Sequence, residues 1–159
     1  MLALQALCAF DAIGERFGDQ LEEFLRDEQA LSDLGIELPP PNELLSFART
    51  LAQGAWAQKR QLDERLSRTA AHWSVARMTL VDRNILRLGM HELLEHRDVP
   101  PQVVINEAIE LARHVGDADS PAFVNGVLDA VRRELAGPPA DPPGSLKTPR
   151  EMEGGDGAL

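Results

Sequence analysis

Apolar residues recur at steps of three and four along most of the chain, which is the spacing that one face of an α-helix requires. The clearest run follows the proline pair at positions 100 and 101, with its apolar stripe at Val104, Ala108, Leu111, Ala112 and Val115. Proline is tolerated in the first turn of a helix, and glycine commonly follows the last turn. This run therefore predicts a helix between the proline pair and Gly116.

A second helix is predicted directly after it. Asp119 and Ser120 are good N-cap residues, and Pro121 suits the first helical turn. Its apolar positions again follow the helical period: Phe123, Val124, Val127, Leu128, Val131 and Leu135. Because two such stripes lie next to each other in the chain, we expect the two helices to pack together.

Apolar residues in the first half of the chain follow the same helical period. We predict a helix over Leu2 to Ile13 that Gly14 stops, an amphipathic helix around Leu21 to Leu31, and a long helix from Asn42 to about Leu66 with Gly54 as the candidate point for a bend. A further helix begins at Thr79. No segment alternates with period two over a convincing length, so the predicted fold is a compact all-α single-domain bundle of about six or seven helices.

The composition changes after the last predicted helix. Residues 137–159 consist largely of Pro, Gly, Asp and Glu with almost no large apolar side chain. Such a segment buries too little apolar surface to offset the entropy of ordering it. We therefore predict one folded domain over residues 1–136 and a disordered tail over 137–159.

Charge and cysteine content limit the function classes. The formal net charge of -10 argues against an indiscriminate nucleic-acid binder, although nine of the sixteen lysines and arginines lie between Arg49 and Arg97. The single cysteine, Cys8, forms no internal disulfide and fits a reducing compartment. With no apolar run near the roughly 20 residues that span a bilayer, we expect a cytoplasmic protein.

No motif in the chain indicates catalysis. We find no nucleophile beside a base, no glycine-rich phosphate loop and no metal-ligand set, so we expect a binding protein that is not an enzyme and needs no cofactor. His91 and His96 invite a zinc interpretation, but that motif needs two histidines four residues apart on one helical face. Here the separation is five, which excludes the motif.

An arginine pair is the best phosphate-contact candidate. Arg83 and Arg87 are four residues apart on one helical face, and Arg77 flanks them. Like charges one turn apart repel each other unless an anion lies nearby. A solvated pair, or one paired with Asp82 or Glu92, is an equally good interpretation.

Four blocks of the sequence, in this order and separation, resemble the NusB-type transcription antitermination factors. They are LALQALCAFD (Leu2 to Asp11), VDRNILRLGMHELL (Val81 to Leu94), DVPPQVVINEAIELAR (Asp98 to Arg113) and FVNGVLD (Phe123 to Asp129). The resemblance extends from about Leu2 to Ala136. It implies a NusB-like helical fold.

The resemblance also implies a function. NusB-type factors bind a short single-stranded signal in nascent rRNA leader transcripts together with the small ribosomal protein NusE, and the complex helps RNA polymerase read through terminators. On this basis we expect RNA contacts from five residues and a contact with the NusE-type partner from Asp82. The five are Phe123 as a stacking ring, Asp119 at a base edge, Arg87 and Arg83 at the backbone, and Gln5.

Three features depart from the family pattern. The recorded sequence begins at the first helix without an arginine-rich arm, Cys8 stands where the family often has Tyr, and Ala122 stands where a Lys is common. Either the true start lies upstream, or RNA binding is weaker than in relatives.

Two alternative functions remain open. The chain is then either a protein-binding adaptor with the same fold or a truncated NusB-like domain of an rRNA cytosine methyltransferase. A homodimer is compatible with the family, but nothing in the sequence requires one.

Overall fold

A computed structural model describes residues 1–71 and 78–137, and all regular structure within these ranges is helical. The all-α prediction is confirmed. Trp73, Arg77 and the predicted tail beyond Gly137 lie outside the described residues. The elements are α1 (Leu2–Ile13), a 3₁₀ helix (Glu15–Gln20), α2 (Leu21–Leu25), α3 (Glu28–Asp33), α4 (Asn42–Ala57), α5 (Lys59–Thr69), α6 (Leu80–Glu95), α7 (Pro101–Val115) and α8 (Ser120–Ala136).

Two of the predicted helices are each divided in the structure. The segment around Leu21 to Leu31 forms α2 and α3, because Asp27 interrupts it and caps α3 by accepting a hydrogen bond from the Ala30 N–H at 2.7 Å. The predicted long helix divides at Gln58 into α4 and α5. The single long helix is therefore wrong: α4 continues through Gly54, the candidate point for a bend, and the chain turns four residues later, at Gln58.

Helix α6 is the centre of the bundle. It contacts α1, α4, α5, α7 and α8, so it has protein on almost every side. Its buried apolar residues are Ile85, Leu86, Leu88, Met90 and Leu93, and four polar residues are buried with them, Asp82, Asn84, Arg87 and His91. A helix in this position must satisfy buried polar groups internally.

An aromatic cluster joins α1 to α4. Trp56 stacks on Phe10 with ring centroids 5.3 Å apart, and its indole N–H donates to Glu15 Oε1 at 3.1 Å. The indole is only 7 % exposed and therefore belongs to the core. Within the described ranges, none of the helices combines the length and apolarity that crossing a bilayer requires.

Candidate nucleic-acid interface

Helices α6 and α8 run side by side in the same direction. Gly89 of α6 lies so close to α8 that a methyl group added to it would be 2.8 Å from Leu128 Cδ1. One turn further along α6, Leu93 lines a cleft together with Arg132 and Leu135, which lie further along α8. The N-termini of α6 and α8 therefore lie at the same end of the molecule.

Four of the six predicted site residues lie at this end. Asp82 and Arg83 belong to the first turn of α6, and Asp119 and Phe123 belong to the start of α8. We call these four residues the α6/α8 face. The α6 pair and the α8 pair are 36 to 41 residues apart in sequence, and the parallel packing of the two helices brings them to one end of the bundle.

Local hydrogen bonds determine where both helices begin. Thr79 caps α6 by accepting a hydrogen bond from the Asp82 N–H at 3.0 Å. Before α8, the Ser120 hydroxyl accepts a hydrogen bond from the Asp117 N–H at 2.9 Å, which closes the turn from α7. The buried Ser120 thus orients the turn that presents Asp119.

Asp119 and Phe123 differ in exposure. Asp119 precedes α8, its carboxylate is exposed and caps no backbone N–H, and its carbonyl accepts the Phe123 N–H at 3.1 Å. The Phe123 ring is partly buried and packs against the hydrophobic core. One part of the ring therefore anchors α8 while another part remains exposed to solvent.

Arg83 and Asp82 also differ. Arg83 is half-buried, and within residues 1–71 and 78–137 its guanidinium makes no ion pair. Asp82 is 5 % exposed, and its Oδ1 has no hydrogen-bond partner in these same ranges. A buried acceptor without a partner costs about 1–3 kcal/mol, so an incoming donor at Asp82 would satisfy an unmet requirement.

Gln5 lies on α1 and is half-buried. Its side-chain oxygen Oε1 is buried and, in the described part of the chain, lacks a hydrogen-bond donor. Gln5 and Asp82 are the residues in which the described structure leaves a buried side-chain oxygen unpaired. Both had been predicted as contact residues.

The structure gives Arg87 a different role from the predicted phosphate contact. Its Nε and Nη2 donate to the two carboxylate oxygens of Asp63 on α5, both at 2.7 Å. Its Nη1 donates to Asp11 on α1 and to Asn84 on α6, both at 2.9 Å. The side chain is 3 % exposed, so a phosphate could reach it only after these bonds were broken.

The charge state of Arg87 follows from these partners. Burial by itself lowers the pKa of the guanidinium, but the hydrogen bonds and charges of Asp63 and Asp11 outweigh burial and raise it. Arg87 is therefore a permanent cation that ties α1 and α5 to the central helix. Arg83, one turn earlier, is the more exposed member of the arginine pair.

Sequence reasoning missed Asn84, which completes this network. Asn84 is fully buried, and its amide donates to Asp11 at 3.2 Å and to the Cys8 sulfur at 3.5 Å. Burial raises the pKa of the Cys8 thiol, and the hydrogen bond from Asn84 partly opposes this effect. A buried Asn three residues before an Arg in an apolar helix was the available signal for an internal polar network.

A polar cleft beside this network was also missed. It has a volume of about 500 Å³ and lies between α1, α5 and α6. Its lining includes Lys59 and Arg60 with Asp63 and Glu64. The Lys59 ammonium lies 3.3 Å from the Trp56 ring centroid, a cation–π contact that holds it near the start of α5.

His91 of α6 and His96, which directly follows α6, lie closer together than a continuous helix would place them. Their ring centroids are 5.7 Å apart, because α6 ends at Glu95 and His96 follows in a non-helical conformation. His91 Nδ1 pairs with Gln58 Oε1 at 3.0 Å. Among the described residues no three His, Cys, Asp or Glu side chains are arranged to hold a metal ion.

Comparisons with known proteins agree on one family. The family model described as the NusB family matches residues 1–133. Transcription antitermination protein NusB of Desulfosudis oleivorans is 38% identical over 152 residues, covering 96% of this chain and 94% of the relative. The NusB of Anaeromyxobacter dehalogenans strain 2CP-1 is 42% identical over 138 residues, covering 87% and 89%.

Solved structures give the same result. The NusB of T. maritima superposes with a TM-score of 0.62 at 34% identity, covering 84% of this chain and 87% of that one. A crystal structure of antitermination factors NusB and NusE in complex with dsRNA contains a chain that superposes with a TM-score of 0.65 at 27% identity, covering 82% and 90%.

Proposed function

Since the chain belongs to the NusB family, we propose that it acts as a transcription antitermination factor. It binds a short single-stranded signal in nascent rRNA leader transcripts together with a NusE-type ribosomal protein. The resulting complex supports read-through by RNA polymerase, which places the protein in the cytoplasm. This role requires binding surfaces and assigns the chain no reaction of its own.

The observation that carries the proposal is the family match over residues 1–133, together with the gathering of four predicted contact residues on the α6/α8 face. Recognition of single-stranded RNA requires cations for phosphates and flat rings for unstacked bases. The face offers one cation without an internal partner in the described residues, Arg83, and one partly exposed ring, Phe123. Asp119 adds an exposed acceptor for a base edge.

The acidic residues of this face suit a mixed protein and RNA interface. Asp82 has a buried oxygen without a donor in the described part of the chain, and it lies beside Arg83 in the first turn of α6. We assign Asp82 to the NusE-type partner and Gln5 to RNA contact. We assign Arg87 to positioning, since it holds α1 and α5 against the helix that carries Arg83.

The test measures binding of the chain, with its NusE-type partner, to a short single-stranded rRNA leader RNA over a salt series. Each phosphate contact to single-stranded nucleic acid contributes a slope of about -0.7 to the plot of log K against log salt. Arg83→Ala should weaken binding and reduce this slope by about that amount. Phe123→Ala should weaken binding by about 1–3 kcal/mol at every salt concentration, with an unchanged slope.

Two variants control for indirect effects. Phe123→Leu keeps most of the apolar volume but removes the ring face, so it should lose RNA affinity while keeping the thermal midpoint. Arg133→Ala removes a side chain that is 68% exposed at the far end of α8 and should leave both affinity and slope unchanged. Equal effects of Arg83→Ala and Arg133→Ala would contradict the assigned face.

The adaptor alternative has its own outcome in this experiment. It predicts that the chain binds the NusE-type partner with normal affinity and adds nothing to RNA binding. Arg87 forms ion pairs with Asp11 and Asp63, so the predicted RNA surface has one cation fewer. This single observation favours the adaptor alternative.

We further propose that residues 1–136 are the folded, functional unit. Helix α8 ends at Ala136, and Gly137 follows with φ 72°, a conformation that ends a helix. The family model also ends close to this point, at residue 133.

A further inference from the structure

An apolar groove lies between α4 and α7, with the start of α1 and the middle of α6 as its floor. It has a volume of about 190 Å³. Leu44 and Phe47 form one wall, and Val103 and Leu111 form the other. Three apolar side chains at the groove are unusually exposed: Phe47 at 53%, Val103 at 47% and Met1 at 37%. Clustered exposed apolar side chains mark binding surfaces more often than isolated ones do.

Two carboxylates lie in this apolar groove. Glu92 on α6 and Glu107 on α7 both line it, and no Lys or Arg side chain does. In the described parts of the chain neither carboxylate forms a side-chain hydrogen bond or an ion pair. Burial raises the pKa of the Glu92 carboxyl, the charge of His96 lowers it, and the charge of Glu107 raises it again.

Among the described residues, two positive groups act on these carboxylates: His96 on Glu92, and the α-amine of Met1 on Glu107. Burial lowers the pKa of this amine, and the charge of Glu107 partly reverses the effect. Because Glu92 and Glu107 line the groove and no described Lys or Arg does, the charged side chains of its lining are acidic. A ligand for this groove should bring apolar surface and positive charge together.

The spacing along α7 indicates the shape of such a ligand. Val103, Glu107 and Leu111 follow each other at intervals of four residues, so they form a stripe about 12 Å long on one face of α7. A groove flanked by two helices and about 12 Å long fits an apolar stripe of two to three helical turns.

A second copy of this chain is a poor occupant. A symmetric contact would bring Glu92 and Glu107 from both copies together, and each copy carries a formal net charge of -10. Like charges facing each other in an interface oppose association. Charge complementarity instead favours a basic partner.

We propose that the groove between α4 and α7 docks an amphipathic helix of another protein, which places its apolar face against Phe47 and Val103 and a Lys or Arg beside Glu92 and Glu107. This surface is distinct from the α6/α8 face. Glu92 lies ten residues after Asp82 on α6, which is about 15 Å along the helix axis. One protein could therefore hold its RNA and this helix at the same time.

The experiment uses the full chain and two labelled peptides of about 18 residues, long enough to form helices. Both carry leucines on one helical face; one carries lysines beside that face, and the other carries glutamates at the same positions. Binding is measured by fluorescence anisotropy. The lysine peptide should bind and the glutamate peptide should not.

Variants of the chain then assign the binding to the groove. The double substitution Glu92→Gln with Glu107→Gln should weaken the lysine peptide about 3- to 10-fold, since each partly exposed charge pair contributes modestly. Phe47→Ala should weaken it at least about fivefold. Matched controls are Glu23→Gln, an exposed acid on α2, and Ile13→Ala, an apolar residue that is 50% exposed on α1.

Several outcomes overturn the proposal. The proposal is wrong if the lysine peptide does not bind at concentrations up to about 1 mM, or if the two peptides bind equally well. It is also wrong if the groove variants and the control variants have equal effects. A dimer in sedimentation experiments that Phe47→Ala disrupts would show that a second copy occupies the groove instead. RNA binding of the Phe47→Ala protein should be unchanged, so this proposal and the proposed antitermination function fail separately.

Discussion

The guanidinium of Arg87 connects three helices through one planar group. It binds both oxygens of Asp63 and one oxygen of Asp11, while Asn84 accepts from it on the same helix. Buried ion pairs of this kind are sensitive to the loss of one partner, because the remaining charges keep their desolvation cost. In the proposed function, Arg87 would therefore act on RNA binding through the geometry of α1, α5 and α6.

Arg87→Ala should lower the free energy of unfolding by about 2–4 kcal/mol. This is less than the loss expected for a fully buried ion pair, because the Asp63 side chain is 40% exposed. Arg87→Lys should recover little of it, since an ammonium cannot make the paired bonds to Asp63. Urea denaturation measures both. Arg133→Ala is the matched control and should stay within about 0.5 kcal/mol of wild type, and an equally small effect at Arg87 would contradict the network.

His91 should make stability depend on pH. Burial lowers its pKa, the charge of His96 lowers it further, and Glu95 raises it, with the net pKa below the ordinary value of 6.5. The unfolded chain therefore binds more protons at this site near pH 6.5, and stability is lost as the pH falls through that region. Between about pH 7.5 and 5.5 the wild type should lose more unfolding free energy than His91→Gln.

The exposed His114 provides the control for this measurement. His114→Gln removes an exposed imidazole and should leave the free energy of unfolding at pH 7.5 within about 0.5 kcal/mol of wild type. A steeper loss of stability in His91→Gln than in the wild type would mean that the sign of the argument is wrong.

At the scale of elements, Gly54 decides how closely α4 approaches α6. A methyl group at this position would collide with the imidazole of His91, which is a rigid ring held by Gln58. The position therefore requires glycine because of its neighbour. Helix α4 continues through this glycine, and the turn at Gln58 separates α4 from α5.

Gly54→Ala should destabilise the protein by about 1–3 kcal/mol through overpacking, although alanine favours a helix by about 1 kcal/mol. In a double-mutant cycle, His91→Ala should remove most of this penalty, because it empties the space that the methyl group needs. Thermal unfolding measures all four proteins. Additive effects of the two substitutions would show that Gly54 and His91 do not interact.

At the scale of the whole molecule, much of the helix order could be predicted from the sequence. The bounds of α1, α7 and α8 follow from local signals, namely Gly14, the proline pair, Gly116 and the residues before Pro121. These signals act within one or two turns, so a single sequence carries them. The gathering of Asp82 and Arg83 with Asp119 and Phe123 depended on resemblance, because parallel packing of α6 and α8 has no local signal.

The remaining features depend on contacts across long sequence separations. The residues next to Arg87 in the sequence do not distinguish it from a solvent-exposed arginine. Its partners Asp63 and Asp11 are 24 and 76 residues away. The groove between α4 and α7 likewise combines residues from four elements. Periodicity could assign Phe47 and Val103 to helices, but not to a common surface.

The central position of α6 determines how much order its first turn already has before a ligand binds. Five helices surround it, and it carries Asp82 and Arg83 in its first turn. Its backbone can open to solvent only when most of the bundle opens, so the two side chains extend from the most persistent element of the fold. In the proposed complex, these positions would therefore lose little conformational entropy on binding, since α6 was ordered when the chain folded.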